Sequence, residues 1–275
     1  MGKSTTCALW RIMVAAVVAA AVAMACVAAT MLTPQNALAQ EKADVQIIKM
    51  VTLKDYVAGG SVTKKFIYNS NGLVRYIKEK NKLGGGSDLY QHAYTYDKKN
   101  RITKIVTKSQ KSHGKYTTKI TLDKKGYAIK STSSGPDNTT TTYRYNSKGQ
   151  LIKAVQKGDN PQTTVFRYDK KGRLKLAKVT HPDGSVERNT FKYNKAGQLS
   201  TASIHGITCK VKNTFNSIGL LDKQDLYYTK GGKKVKAATY DYSLMKRTVP
   251  VSSIDLWAAQ LDAIMLGVVP LQTLR

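Results

Sequence analysis

A tyrosine-rich, glycine-punctuated unit recurs from Phe66 to Leu221 and limits the folds open to this chain more than any other feature. The copies read FIYNSNGLV from Phe66, YTYDKKNRI from Tyr94, ITLDKKGYA from Ile120, YRYNSKGQL from Tyr143, FRYDKKGRL from Phe166, FKYNKAGQL from Phe191 and NTFNSIGLL from Asn213. Their Asp or Asn anchors stand at 69, 97, 123, 146, 169, 194 and 216, a period too short for a helix pair and suited to two strands with two turns.

In FRYDKKGRL the aromatics Phe166 and Tyr168 are two apart, so a strand puts them on one face. Asp169 can accept a backbone hydrogen bond, the two lysines suit right-handed helical angles, and Gly172 suits the left-handed conformation that other residues resist. This chemistry predicts a type I turn ending in a G1 bulge. It places Asp169 opposite Arg173, Tyr168 opposite Leu174 and Phe166 opposite Leu176. The same arithmetic pairs Tyr68 with Val74, Tyr96 with Ile102, Tyr145 with Leu151, Tyr193 with Leu199 and Phe215 with Leu221. Each aromatic–aliphatic pair contributes about 0.2–1 kcal/mol beyond Ala–Ala. Asn100 takes the place of glycine in one copy, and Asn is the next most tolerant of that conformation.

A second set of chain reversals lies between these turns: Ala58 to Ser61, Gly84 to Asp88, Ser112 to Gly114, Gly135-Pro136-Asp137, Gly158 to Pro161, Pro182-Asp183-Gly184, His205-Gly206 and Gly231-Gly232. Alternating with the Asp/Asn turns, they imply about sixteen strands in an up-and-down antiparallel meander. The face opposite the aromatics carries Arg75, Thr95, Thr103, Arg144, Arg167, Lys175 and Lys192, so it is wet and cationic. The aromatic face must be covered, and so wide a sheet curls. The fold expected is all-β, strongly curved or closed into a barrel-like sheet with the aromatics inside. On this register Lys104 and Lys153 fall among the aromatics, opposite Tyr94 and Tyr143, with their stems over the rings.

Both ends of the chain differ from the repeats. Lys3 and Arg11 precede an apolar run from Ile12 to Leu32, and Ala37-Leu38-Ala39 suits a signal peptidase. Residues 1–39 therefore read as a signal peptide and 40–250 as the β-repeat domain; an uncleaved anchor and lipidation at Cys26 are the weaker readings. Residues 251–275 read as a helix and tail: Ser252 or Ser253 caps it, and Ile254, Trp257, Ala258, Leu261 and Met265 form one apolar stripe. That stripe suits a plug or lid on the sheet, with a membrane-surface helix as the rival.

The chain carries a formal net charge of +28, and removing the leader takes away only Lys3 and Arg11. A positive field spread through the repeats attracts anionic polymers and surfaces and is screened by salt; it also keeps sheet edges soluble. Cys209, the one cysteine beyond the leader, sits in an alternating ITCKVK strand and reads as a small buried hydrophobe. The histidines His92, His113, His181 and His205 lack metal-site spacing, and no catalytic motif occurs. The expectation is a protein without enzymatic activity or cofactor.

The pattern Y-x-Y-[DN]-x-x-G-x-L resembles the YD repeat of Rhs-type proteins over about residues 62 to 225. The residues that carry the likeness are Tyr96-Asp97, Tyr145-Asn146, Tyr168-Asp169 and Tyr193-Asn194, followed by Gly149, Gly172 and Gly197 where glycine is present. It is also similar to small secreted β proteins with a porin-like sheet. In Rhs-type proteins long arrays form an extracellular β-shell around a toxin or peptide, and some are proposed to bind carbohydrate. Here the array is short and carries neither a core-cleavage motif nor a toxin domain.

Three functions follow as expectations. The first is a secreted or cell-envelope protein that binds an anionic partner, such as teichoic acid, polysaccharide, lipopolysaccharide or lipid, with no specific nucleic acid. Its contact residues would be Lys98, Lys99, Lys124, Lys125, Lys148, Lys170, Lys171 and Lys195 on an aligned rim of turns, with Arg144 and Arg167 on the face. The second is a carrier of a hydrophobic ligand inside the sheet. The third is an outer-membrane barrel, which needs a lipid-facing apolar band.

Overall fold

The structure, a computed structural model, describes residues 42–250 apart from 58, 112, 136, 137 and 205. The leader and the C-terminal helix of the sequence reading lie outside the described residues. The first eight strands are β1 (Lys42–Asp55), β2 (Ser61–Tyr68), β3 (Val74–Asn81), β4 (Asp88–Tyr96), β5 (Ile102–Ser109), β6 (Lys115–Leu122), β7 (Ala128–Ser134) and β8 (Thr139–Tyr145). The second eight are β9 (Leu151–Gly158), β10 (Gln162–Tyr168), β11 (Leu174–Thr180), β12 (Val186–Tyr193), β13 (Leu199–Ile204), β14 (Ile207–Phe215), β15 (Leu221–Lys230) and β16 (Lys233–Pro250). Each pairs antiparallel with its chain neighbours, and β1 pairs with β16, closing a sixteen-stranded barrel.

The Asp/Asn turns all lie at one end of this meander and have the predicted chemistry. At the β10–β11 turn the Asp169 amide donates to Arg173 O and the Gly172 amide to Asp169 O, while Gly172 has φ +80°. The Asp169 carboxylate accepts from the Lys171 and Arg173 amides, both at 2.9 Å. Asn100 fills the left-handed position with φ 59°, as its place in the repeat requires. In four of the seven units the side chain after the left-handed residue is matched to the anchor: Asp97 and Asp169 bind Arg101 and Arg173, while Asn146 and Asn194 bind Gln150 and Gln198. Charge meets charge and amide meets amide.

One register prediction fails two residues beyond the turn. Tyr168 faces Leu174 as predicted, but Arg167 faces Leu176 and Phe166 faces Ala177, not Leu176. A β-bulge follows the aliphatic residue in every unit and turns the rest of the return strand over. Lys104 and Lys153 therefore pair with Thr95 and Arg144 on the outer face, and Ile105 and Ala154 take the inner places opposite Tyr94 and Tyr143. Small residues then recur opposite large rings, as at Ala177 across from Phe166 and Ala202 across from Phe191.

Burial follows this corrected register. Most of the aliphatic ring inside the turn rim is closed to solvent, with Val74 and Ile102 at 0%, Leu199 at 1% and Leu151 at 2% exposure, while Leu174 is half-buried. Phe66, Tyr143 and Phe191 are buried one layer deeper. Further from that rim the interior turns polar: Thr118 bonds Ser133 at 2.8 Å, and Tyr143 bonds Ser131 at 2.9 Å.

Neighbouring hairpins are stitched together by tyrosine hydroxyls. The ladder between β11 and β12 ends at Leu176–Thr190, and the Tyr193 hydroxyl then donates to Leu174 O at 2.8 Å. Tyr96, Tyr145 and Tyr168 donate likewise to Val74 O, Ala128 O and Leu151 O. Where the repeat has Phe215, the Asn213 amide supplies the bond to Leu199 O at 3.0 Å, and Gln224 in turn donates to Asn213. Burial pushes the Tyr168 and Tyr193 hydroxyls up to about 12, so they stay protonated donors at neutral pH.

Candidate functional site

Three places on the barrel carry polar chemistry: the rim of Asp/Asn turns, the outer wall and one interior cluster. The rim gathers the eight predicted lysines because every second hairpin turn of a meander falls at the same end. Lys98, Lys99, Lys124, Lys125, Lys148, Lys170, Lys171 and Lys195 are all exposed there. Their neighbours Arg101 and Arg173 are committed to the turn carboxylates at 2.6 Å, so the free rim charge is carried by lysine. Arg173 also lies over the Tyr193 ring of the next unit at 4.5 Å. Arg144 and Arg167 are exposed on the outer wall, on strands β8 and β10.

The outer wall holds a concavity that the sequence reading did not single out. A groove of about 710 Å³ crosses β1 to β5 and is lined by Lys65, Lys78, Lys80 and Lys108 with Met50 and Leu89 among its other walls. Met50 stands opposite Lys65, Lys65 opposite Lys78, Lys78 opposite Gln91, and Gln91 opposite Lys108. These residues form one row across the strands. Among the described residues no carboxylate pairs with any of the four lysines; Glu79 lines the groove, yet its carboxylate lies 3.5 Å from Lys64 Nζ on the inner side. The signal in the sequence was the alternation in Lys78-Glu79-Lys80, readable only once the bulge had fixed which face each residue takes.

The interior cluster is the environment of that glutamate. Glu79 Oε2 lies 3.4 Å from His92 Nε2, and His92 Nδ1 lies 2.9 Å from Thr107 Oγ1. Burial raises the Glu79 carboxyl, but the contacts from His92 and Lys64 outweigh it and hold the group below its ordinary value of 4.5. A hydroxyl, an imidazole and a carboxylate thus lie together across β3, β4 and β5, the imidazole bonded to Thr107 and in ion-pair range of Glu79, largely shielded from solvent. No group of three or more metal-ligating side chains occurs among the described residues. Cys209 is buried, as predicted, and burial pushes its thiol up, which disfavours the thiolate.

Comparison with solved structures gives the fold a relative. The chain is similar to a porin-like protein from Bacteroides uniformis, with a TM-score of 0.51 and 14% identity over 72% of this chain and 98% of that one. At that identity the likeness is one of fold. A Tc holotoxin pore from Photorhabdus luminescens also matches, at a TM-score of 0.32 and 13% identity over 66% of this chain and 13% of that one. No protein-family model and no curated protein matches the sequence.

Proposed function

We propose that this chain is a non-enzymatic β-barrel, secreted or held in the cell envelope, that binds an anionic polymer or surface through its cationic wall and rim. The observation that carries this reading is the outward ladder of lysines. Lys78, Lys108, Lys119, Lys130, Lys175, Lys192, Lys210 and Lys212 are all exposed strand residues, on positions that alternate with the inward side chains. A barrel built to span a lipid bilayer puts apolar side chains on those positions and polar ones inside. This wall has the reverse pattern beside the turn rim, with dry aliphatic residues inside and lysines outside.

Binding by such a field weakens as salt screens it. The test is co-sedimentation of the full chain with purified anionic envelope polymer at rising salt. Retention should fall several-fold between about 0.05 M and about 0.5 M salt, over which the screening length shrinks to roughly a third. Retention unchanged by salt would sink the proposal.

A further inference from the structure

We infer that the groove across β1 to β5 is the seat of that binding, and that it takes the phosphates of a phosphorylated polymer lying across the strands. The inference rests on the electrostatic reading above and goes beyond it by naming a site and a ligand chemistry. Lys65 and Lys78 face each other directly, an arrangement that destabilises a sheet unless an anion lies between them. The nearest acid in the sequence is withheld from them, because Glu79 is turned inward to Lys64 and His92. Two strand spacings beyond Lys78, on the far side of Gln91, Lys108 supplies a second charge roughly 10 Å away. Lys115 stands opposite Lys108 and extends the row past the groove.

The walls suit a chain of phosphates. The groove's cations are lysines, point charges of the kind that hold phosphate, set along one row so that each can meet a separate anionic group. Leu89 is 44% exposed and shares the groove with Met50, giving apolar contact for the carbon links between phosphates. The rim lysines have no such frame. They sit singly or in pairs on separate turns.

The test measures binding of inorganic polyphosphate, of polygalacturonate and of phosphatidylglycerol vesicles to the full chain and to two variants of equal charge. One variant carries Lys78→Gln with Lys108→Gln in the groove; the other carries Lys170→Gln with Lys171→Gln on the rim. All four side chains are exposed, so unchanged circular dichroism and melting are expected of both variants and are checked first. Loss of about tenfold in polyphosphate affinity for the groove variant, against about twofold for the rim variant, is the expected result. Equal losses in both would overturn the groove as the seat while leaving electrostatic binding standing. Polygalacturonate bound as tightly as polyphosphate would overturn the phosphate assignment. Vesicles bound through the groove in preference to polyphosphate would assign the phosphate to a lipid headgroup and overturn the polymer. Absence of salt-sensitive binding to any of the three would overturn the wider reading as well.

Discussion

At the scale of single residues, the tyrosine before five of the seven Asp/Asn turns has two roles that its aromatic character alone would not reveal. Its ring faces the aliphatic partner, and its hydroxyl closes the gap between hairpins where the ladder ends. Tyr168→Phe keeps the ring and removes the donor to Leu151 O, so it should cost about 1–2 kcal/mol in chemical denaturation. The matched pair at the turn makes a second prediction. Asp169→Asn leaves the Arg173 guanidinium without its carboxylate, whereas Asp169→Asn with Arg173→Gln recreates the amide pair seen at Asn146 and Gln150. The single change should lower the melting temperature, and the double change should recover most of the loss. The matched pair was legible in the letters, since Asp stands with Arg and Asn with Gln in four units. The hydroxyl acceptors were not, because they belong to the unit before.

At the scale of the strand, the turn and its first pair follow from local backbone chemistry, and the bulge does not. Asp169, Gly172 and the Tyr168–Leu174 pair are fixed within a few residues of one another, which is why sequence alone placed them. The bulge depends on which later residues fit inside the closed barrel. A trace of it is present in the alanines three places after the aliphatic residue, Ala154, Ala177 and Ala202, each opposite a ring. The same trace explains why the groove lysines were missed. Their face is assigned only after the bulge has shifted the alternation. Lys153→Ala should therefore change stability by less than about 0.5 kcal/mol, because the side chain is on the outer wall. Ala202→Lys should cost about 3 kcal/mol or more, because Ala202 is 1% exposed and faces Phe191. Denaturant unfolding of the two variants measures the contrast, and the reverse order would restore the original register.

At the scale of the molecule, stability is tied to carboxylates that the surrounding cations hold ionised. The Arg173 guanidinium and the turn amides keep the Asp169 carboxyl below its ordinary 3.8; at Asp97 burial opposes the shift, and Arg101 and the turn amides outweigh it. Glu79 is depressed in the same direction. A depressed carboxyl contributes stability above its unfolded value, and that contribution is lost as pH falls through the folded one. Unfolding temperature should hold from neutral pH down to about 5 and drop below about 4, and Glu79→Gln should flatten part of that drop. Scanning calorimetry against pH is the measurement. The up-and-down meander and its strong curvature were readable from the count and alternation of reversals, together with the need to cover one apolar face; that β1 and β16 meet was not, because their pairing joins the two ends of the array.

The seam between β1 and β16 has a bearing on how this barrel can be made. Its paired residues run from Lys42 with Pro250 to Asp55 with Ala238, so the first described strand waits for the last. A chain emerging from its amino terminus can form each hairpin as it appears, yet until β16 arrives it is an open ribbon with an unpaired border on each side. During that interval a second copy offers the same edge as the missing strand. Lys49 on β1 and Lys246 on β16, both exposed on the border strands, then set like charge against like and hold half-finished molecules apart.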